Sequence, residues 1–146
     1  KDSLLLGIDL RKGPEILEPA YDDASGVTAD FNLNLLDRIN TELGGSFERK
    51  NFHHKAVYNV EEGRIEMYLL SDQDQEIEIQ NLGTSISFKK DEMILTEYSY
   101  KYSHAEIKAL AEAAGFFLEQ QWLDDEGFFS LNCLKPQNNA PELRAL

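Results

Sequence analysis

The chain has 146 residues, of which 42% are hydrophobic, and this composition predicts a folded domain of ordinary size rather than a disordered chain. Asp and Glu outnumber Lys and Arg by 27 to 14, and the formal net charge of −13 argues against binding to nucleic acids or to anionic membrane surfaces. No apolar run approaches the roughly 20 residues of a membrane span, and the single Cys133 excludes an internal disulfide, so we expect a cytoplasmic protein.

The first third of the chain predicts a strand followed by two helices. The apolar run Leu4–Asp9 is typical of a strand buried on both faces, as in a parallel sheet. Pro14 favours the first turn of a short helix that ends near Tyr21. After turn residues 22–26, helical spacing of apolar residues predicts a helix over Val27–Leu43, which the following two glycines end. Its apolar stripe comprises Val27, Phe31, Leu35, Leu36 and Ile39.

From His53 onward the apolar period changes to two, which predicts a meander-like antiparallel block. A hairpin turn at residues 61–63 joins its first two strands. The strands are expected at about His54–Asn59, Arg64–Ser71, Gln75–Ile79, Thr84–Phe88 and Met93–Tyr102.

The last part of the chain returns to a mixture of helix and strand. Ser103 is the expected N-cap of a helix over His104–Ala114. Its apolar stripe comprises Ile107, Leu110 and Ala111. Two strands, Phe116–Leu123 and Phe128–Leu134, follow and are joined by a turn. The polar residues 137–146 are expected to form a flexible tail.

The most informative polar pattern lies on residues 95–102. Side chains alternate between the faces of a strand, so Glu97, Ser99 and Lys101 share one face, opposite the Thr96 and tyrosine side chains. An anion and a hydroxyl two residues apart suit a ligand that carries positive charge and hydrogen-bond donors. The alternative is an edge strand with a solvated polar face.

Three further positions have both a structural and a functional interpretation. Tyr21 lies just before a turn, where it either lines a pocket or packs against the core. Asp22 and Asp23 are best explained as caps of the following helix, because anions are favoured at helix N-termini. Met67 lies on the apolar face of an alternating strand, and such a methionine is more often a core residue than a ligand contact.

The sequence does not indicate a metal site, a hydrolase or a phosphate-binding loop. His53 and His54 are adjacent on a predicted strand, so they point to opposite faces and cannot share one metal ion. Ser99 has no identifiable histidine partner for a catalytic triad. The only paired glycines close a helix rather than open one after a strand.

Six short motifs occur in the order and spacing of one enzyme family. They are Gly7–Leu10, Ala20–Asp23, Gly26–Thr28, Phe31–Asn32, Arg64–Met67 and Thr96–Tyr102. With them the chain resembles the histidine-specific, S-adenosylmethionine-dependent N-methyltransferases of ergothioneine biosynthesis, which trimethylate the α-amino group of L-histidine to give hercynine. The resemblance covers nearly the whole chain but only about the second half of the family's length, and we expect this to be the C-terminal piece of a longer protein.

The resemblance implies an α/β fold, which is α+β in a fragment of this extent. Residues 1–11 and 101–136 would be the C-terminal part of a Rossmann-like methyltransferase domain, with Leu4–Asp9 as its fifth strand. Residues 12–100 would be an inserted substrate-recognition domain. The edge of Leu4–Asp9 would then be unpaired, which favours self-association of the chain.

The resemblance also implies four substrate-binding residues and no catalytic residue in this piece. Glu97 would bind the imidazole ring of histidine, Ser99 would hydrogen-bond to the same ring, Met67 would pack against it, and Tyr21 would contact the substrate amino acid. A carboxylate favours the protonated imidazole, which donates from both nitrogens.

The S-adenosylmethionine-binding elements of the family lie in its N-terminal half, so we expect this chain alone neither to bind the cofactor appreciably nor to methylate. Two alternatives remain open. The parent methylates another aromatic amino acid such as tryptophan, or the chain is a non-catalytic binding module derived from the family.

Overall fold

The computed structural model describes residues 2–137, in which three α-helices and eight strands form a mixed α/β structure with antiparallel sheets. In chain order the elements are β1 (Leu4–Asp9), α1 (Pro14–Tyr21), α2 (Val27–Leu43), β2 (Phe52–Asn59), β3 (Arg64–Ser71), β4 (Gln75–Ile79), β5 (Thr84–Phe88), β6 (Met93–Tyr100), α3 (His104–Ala113), β7 (Phe116–Leu123) and β8 (Phe129–Pro136). The predicted tail lies outside the described residues except for Gln137.

These residues pack into two compact units. The terminal unit combines the chain up to Lys12 with the chain from Tyr100 onward, and the central unit is Gly13–Ser99. Each unit has its own sheet and its own apolar core, so the chain leaves the first unit, builds the second and then returns.

The terminal unit contains a three-stranded sheet in the order β1-β8-β7. It also contains α3, which precedes β7 in the chain. β8 is antiparallel to both neighbours, so β1 and β7 run in the same direction. Ile107 of α3 packs against Ile8 and Leu10 in the core of this unit.

The expectation that β1 is buried on both faces in a parallel sheet was wrong. Among the described residues its partner in the sheet is the antiparallel β8, and Leu4 and Leu5 are 44% and 59% exposed. An edge strand with one neighbour and one covered face leaves its other face in solvent.

The prediction that Lys101 shares a strand face with Glu97 and Ser99 was wrong, because β6 ends at Tyr100 and Lys101 lies beyond it. Lys101 belongs to the terminal unit and is 2% exposed, and its Nζ lies 2.9 Å from Asp9 Oδ2. Burial alone raises the pKa of Asp9, but hydrogen bonds from Lys12 and Lys101 outweigh it and hold that pKa below its ordinary value. The buried ammonium is therefore compensated by an ionised carboxylate.

The central unit holds a three-stranded sheet in the order β2-β3-β6 and a separate hairpin of β4 and β5. The predicted meander was wrong in this respect, because β6 pairs with β3 and not with the strand that precedes it. β3 places Ile65, Met67 and Leu69 on the buried face of the sheet, at 0–2% exposure. These alternate side chains of β3 thus contribute to both apolar clusters of the central unit.

The apolar stripe predicted for α2 was partly wrong. Val27 and Phe31 are each 68% exposed, and Leu35 is 38% exposed. Leu36 is buried and Ile39 packs against the core, as predicted. The buried face also carries Asn32, one helical turn before Leu36, which an apolar stripe does not predict.

Candidate functional site

Tyr21 and Ser99 are 78 positions apart in the chain and meet in the central unit. The hydroxyl oxygens of the two side chains are 2.9 Å apart, and either can donate the hydrogen bond. Tyr21 is the last residue of α1, and its ring packs against a buried cluster. The cluster comprises Leu17, Ala56, Tyr58, Ile65 and Met67. Three of the four substrate-binding residues predicted from the sequence are thereby connected.

Met67 itself is a core residue in this structure, with 2% exposure. Thr96 of β6 donates a hydrogen bond of 3.0 Å to the Met67 carbonyl, which fixes the neighbouring strand beside it. The Met67 side chain belongs to the buried cluster against which Tyr21 packs. Contact of Met67 with a substrate ring stays a prediction.

Glu97 presents an exposed carboxylate that forms no hydrogen bond or ion pair with residues 2–137. Tyr98 lies on the opposite face of β6, where the Arg64 guanidinium stacks over its ring at 3.8 Å from the centroid. Strand alternation predicts that Glu97 shares the face of Ser99, which lies two residues further along the strand. The Glu97 carboxylate has its acceptor capacity available to a ligand.

Glu66, on the opposite face, is fully engaged. It accepts hydrogen bonds from Tyr68, from Arg64 Nε at 2.8 Å and from Asn59 Nδ2 at 3.2 Å. The hydrogen bond from Tyr68 and that from Arg64 hold the pKa of Glu66 below its ordinary value, and the same carboxylate raises the pKa of Tyr68 to about 12. Glu66 therefore serves the structure of the sheet, in contrast to Glu97.

Asp23 organises the turn between α1 and α2, as its predicted capping role requires. Its carboxylate accepts hydrogen bonds from the backbone N–H of Val27 at 3.1 Å and of Thr28 at 2.8 Å. The hydrogen bond from Ser25, followed by those from Thr28 and Val27, lowers the pKa of Asp23 well below its usual range. This turn fixes the chain immediately after Tyr21.

Two buried polar residues, Asn32 and His54, were not placed near Tyr21 by the sequence analysis. Asn32 Nδ2 lies 2.9 Å from His54 Nδ1, and His54 Nε2 lies 2.7 Å from the Tyr21 carbonyl oxygen. The sequence did carry a signal for His54, because it occupies an inward position of the alternating strand β2. His53 points outward, as alternation predicted, and contacts Asp72.

A groove lies elsewhere in the central unit. An apolar groove of about 340 Å³ runs between α2 and β6 and is lined by residues that include Leu35, Ile39 and Leu95. None of the four predicted site residues lines it. Chemistry therefore favours the Tyr21–Ser99–Glu97 surface as the site, because the groove offers few polar groups to orient a ligand.

Neither a metal centre nor a membrane-spanning helix is found in the part of the chain that the structure describes. No three His, Cys, Asp or Glu side chains among residues 2–137 are grouped to hold a metal ion. No helix in that range is both long and apolar enough to cross a bilayer.

Comparison with known proteins identifies a single family. A family model described as "Histidine-specific methyltransferase, SAM-dependent" matches residues 1–136. The chain is 43% identical over 131 residues to a histidine N-alpha-methyltransferase of Mycobacterium tuberculosis, covering 90% of this chain and 41% of that protein. It is 33% identical to the L-tryptophan methyltransferase trpM of Psilocybe serbica, covering 96% and 39%. It is 30% identical to ergothioneine biosynthesis protein 1 of Schizosaccharomyces pombe, covering 83% and 16%. The chain thus spans about two fifths, or less, of the length of these relatives.

Proposed function

The chain belongs to the family of histidine-specific, S-adenosylmethionine-dependent methyltransferases, and from this premise we propose that it is the substrate-binding portion of an enzyme that methylates the α-amino group of L-histidine to give hercynine. The observation that carries the proposal is the contact between the Ser99 and Tyr21 hydroxyls, two residues along β6 from the unpaired Glu97 carboxylate. The relatives named for histidine methylation and for ergothioneine biosynthesis support it.

In this proposal Glu97 binds the imidazole ring of the substrate. Two residues along a strand rise roughly 7 Å, which leaves room for a flat five-membered ring between the Glu97 and Ser99 side chains. A carboxylate stabilises the protonated imidazole through a charge-assisted hydrogen bond. Ser99 and Tyr21 supply hydroxyl oxygens that accept from the second ring N–H, and Met67 forms the apolar support behind them.

We further propose that the two units correspond to two domains of the family. The terminal unit is the end of a Rossmann-like methyltransferase sheet, with β1 as its fifth strand. The sheet order β1-β8-β7, with two strands in one direction and an antiparallel strand between them, supports this assignment. The central unit is the substrate-recognition insert, and the location of all four proposed substrate-binding positions within it supports this assignment.

The described residues do not fit S-adenosylmethionine, which we propose is the cofactor of the parent enzyme. A Rossmann-type site for an adenosine-containing cofactor has a glycine-rich loop between a strand and a helix. β1 leads instead to Pro14 and Glu15 in the first turn of α1, and Gly44 and Gly45 follow a helix. We therefore expect the 146-residue chain alone to show no cofactor binding by calorimetry and no methyl transfer; micromolar binding would contradict this.

The proposal is tested by the turnover of histidine and tryptophan with the full-length protein and S-adenosylmethionine. Methylation of histidine in strong preference to tryptophan is the expected result, because an indole gains less than an imidazole from a carboxylate opposite its ring. Preferred turnover of tryptophan would support the function named for the Psilocybe relative instead. An absence of turnover with both amino acids would favour a non-catalytic binding module.

A further inference from the structure

A chain of buried polar groups connects α2, β2 and the end of α1 in the central unit. Asn32 is 1% exposed and His54 is 9% exposed. Asn32 Nδ2 lies 3.2 Å from the Tyr68 carbonyl oxygen and 2.9 Å from His54 Nδ1. His54 Nε2 lies 2.7 Å from the Tyr21 carbonyl oxygen.

The two carbonyls fix the direction of every hydrogen bond in this chain. A carbonyl oxygen only accepts, so His54 Nε2 must carry the proton that it donates to Tyr21. The Asn32 amide nitrogen must likewise face the Tyr68 carbonyl, and its second N–H then points to His54 Nδ1. His54 is therefore neutral, with Nε2 protonated and Nδ1 as an acceptor.

The Tyr21 carbonyl lies at the C-terminal end of α1. The last carbonyls of an α-helix are not bonded by an N–H four residues onward within the helix, and side chains often donate to them. His54 donates a hydrogen bond to the Tyr21 carbonyl. In the same residue, the Tyr21 hydroxyl contacts Ser99 at the surface that also carries Glu97.

We propose that His54 and Asn32 are positioning residues for the substrate site, acting through the backbone of Tyr21; this inference rests on the proposed function. Asn32 fixes the tautomer and ring orientation of His54, and His54 fixes the end of α1. With its backbone held and its ring packed on the Met67 cluster, the Tyr21 hydroxyl has one position beside Ser99. The cost of misplacing a substrate contact by even about 1 Å is large, which is the reason a buried relay of this kind affects binding.

The test uses the full-length protein, with histidine affinity and S-adenosylmethionine affinity measured separately by calorimetry. His54→Phe keeps a flat ring but removes the donor and the acceptor, and we expect it to weaken histidine binding about tenfold, the loss of one well-formed hydrogen bond. His54→Gln keeps one donor and one acceptor and should restore most of the affinity. Cofactor affinity should not change in either variant.

A double-mutant cycle separates positioning from a general structural role. If His54 acts through Tyr21, the His54→Phe change should have little further effect on histidine affinity in a Tyr21→Ala background. Equal effects of His54→Phe in both backgrounds would overturn the proposal, as would a loss of thermal stability with unchanged histidine affinity. Failure of the wild-type protein to bind histidine would instead count against the proposed function.

A measurement on the unmodified protein keeps the inference falsifiable if His54→Phe does not fold. The ¹⁵N chemical shifts of the histidine rings distinguish the two neutral tautomers from the cation. A neutral His54 with its proton on Nε2 is expected. A proton on Nδ1, in either the other tautomer or the cation, would contradict the relay.

Discussion

Replacement of Leu17 by alanine is expected to destabilise the central unit strongly. Leu17 is 1% exposed and lies on α1 under the ring of Tyr21, where it packs against Ile65 and Met67. The change removes three buried carbon atoms, worth about 2 kcal/mol in transfer free energy, and leaves a cavity that adds roughly 1–2 kcal/mol. We therefore expect the free energy of unfolding to fall by about 3–4 kcal/mol.

Ile16 offers a matched control, because it is the preceding residue of the same helix and is 38% exposed. Ile16→Ala should cost less than about 1 kcal/mol, since little buried area is lost and alanine has the higher helix propensity. Urea unfolding of both variants, followed by far-ultraviolet circular dichroism, gives the comparison. Equal losses for the two variants would refute the packing of α1 on the sheet and, with it, the placement of Tyr21.

Three further predictions concern the terminal unit. Asp9→Asn should lower the free energy of unfolding by about 3 kcal/mol in urea, because it removes the carboxylate that pairs with the buried Lys101 ammonium. Lys101→Met should cost less, and the reverse order would contradict the ion pair. The Ser103 backbone N–H is the largest cause that lowers the pKa of Glu106 to about 2, from an ordinary 4.5. A lowered pKa contributes stability that is complete above about pH 5 and is lost as the pH falls toward 2. The free energy of unfolding of wild type should therefore exceed that of Glu106→Gln by about 1 kcal/mol at pH 7, a value reduced to allow for the 42% exposed Glu106 side chain. At pH 2 the difference should be almost zero. A constant difference across this range would contradict that cause. The exposed edge strand at Leu5 should drive self-association of the 146-residue chain, which Leu5→Lys reduces in sedimentation velocity; a monomeric wild type would contradict it.

Local signals in the sequence were sufficient for most helix and strand boundaries. Ser103 and Glu106 form a reciprocal capping box at the start of α3, with a 2.7 Å hydrogen bond from the Ser103 N–H to the Glu106 carboxylate. α2 ends where Gly44 adopts a left-handed conformation at φ +66°. Such caps and stops act within a few residues of each other, so a single sequence contains them in full.

The errors concern contacts between residues that are distant in sequence. Pairing of β6 with β3 is decided by which apolar faces meet, and strand periodicity alone does not contain that information. The same limit hid the buried face of α2, because Asn32 lowers the apparent apolarity of the face that packs on the sheet.

Part of the candidate site follows from local sequence signals, and part depends on contacts between distant residues. Strand alternation predicted from the sequence alone that Glu97 and Ser99 share one face of β6. The contact of Ser99 with Tyr21 and the hydrogen bonds of His54 depend on how α1 and α2 pack on the sheet, so they required the structure. The roles of Tyr21, Met67, Glu97 and Ser99 toward a substrate remain predictions.

The most direct test of the central claim is a histidine titration of the full-length protein with Glu97→Gln. The proposed charge-assisted contact predicts a dissociation constant raised by about 10- to 100-fold, with little change for cofactor binding. Glu76→Gln is the matched control, because Glu76 is an exposed strand carboxylate of the same unit and the variant changes the net charge equally. Glu76→Gln should bind histidine like wild type. An unchanged affinity in Glu97→Gln, or equal weakening in both variants, would remove Glu97 from the histidine site.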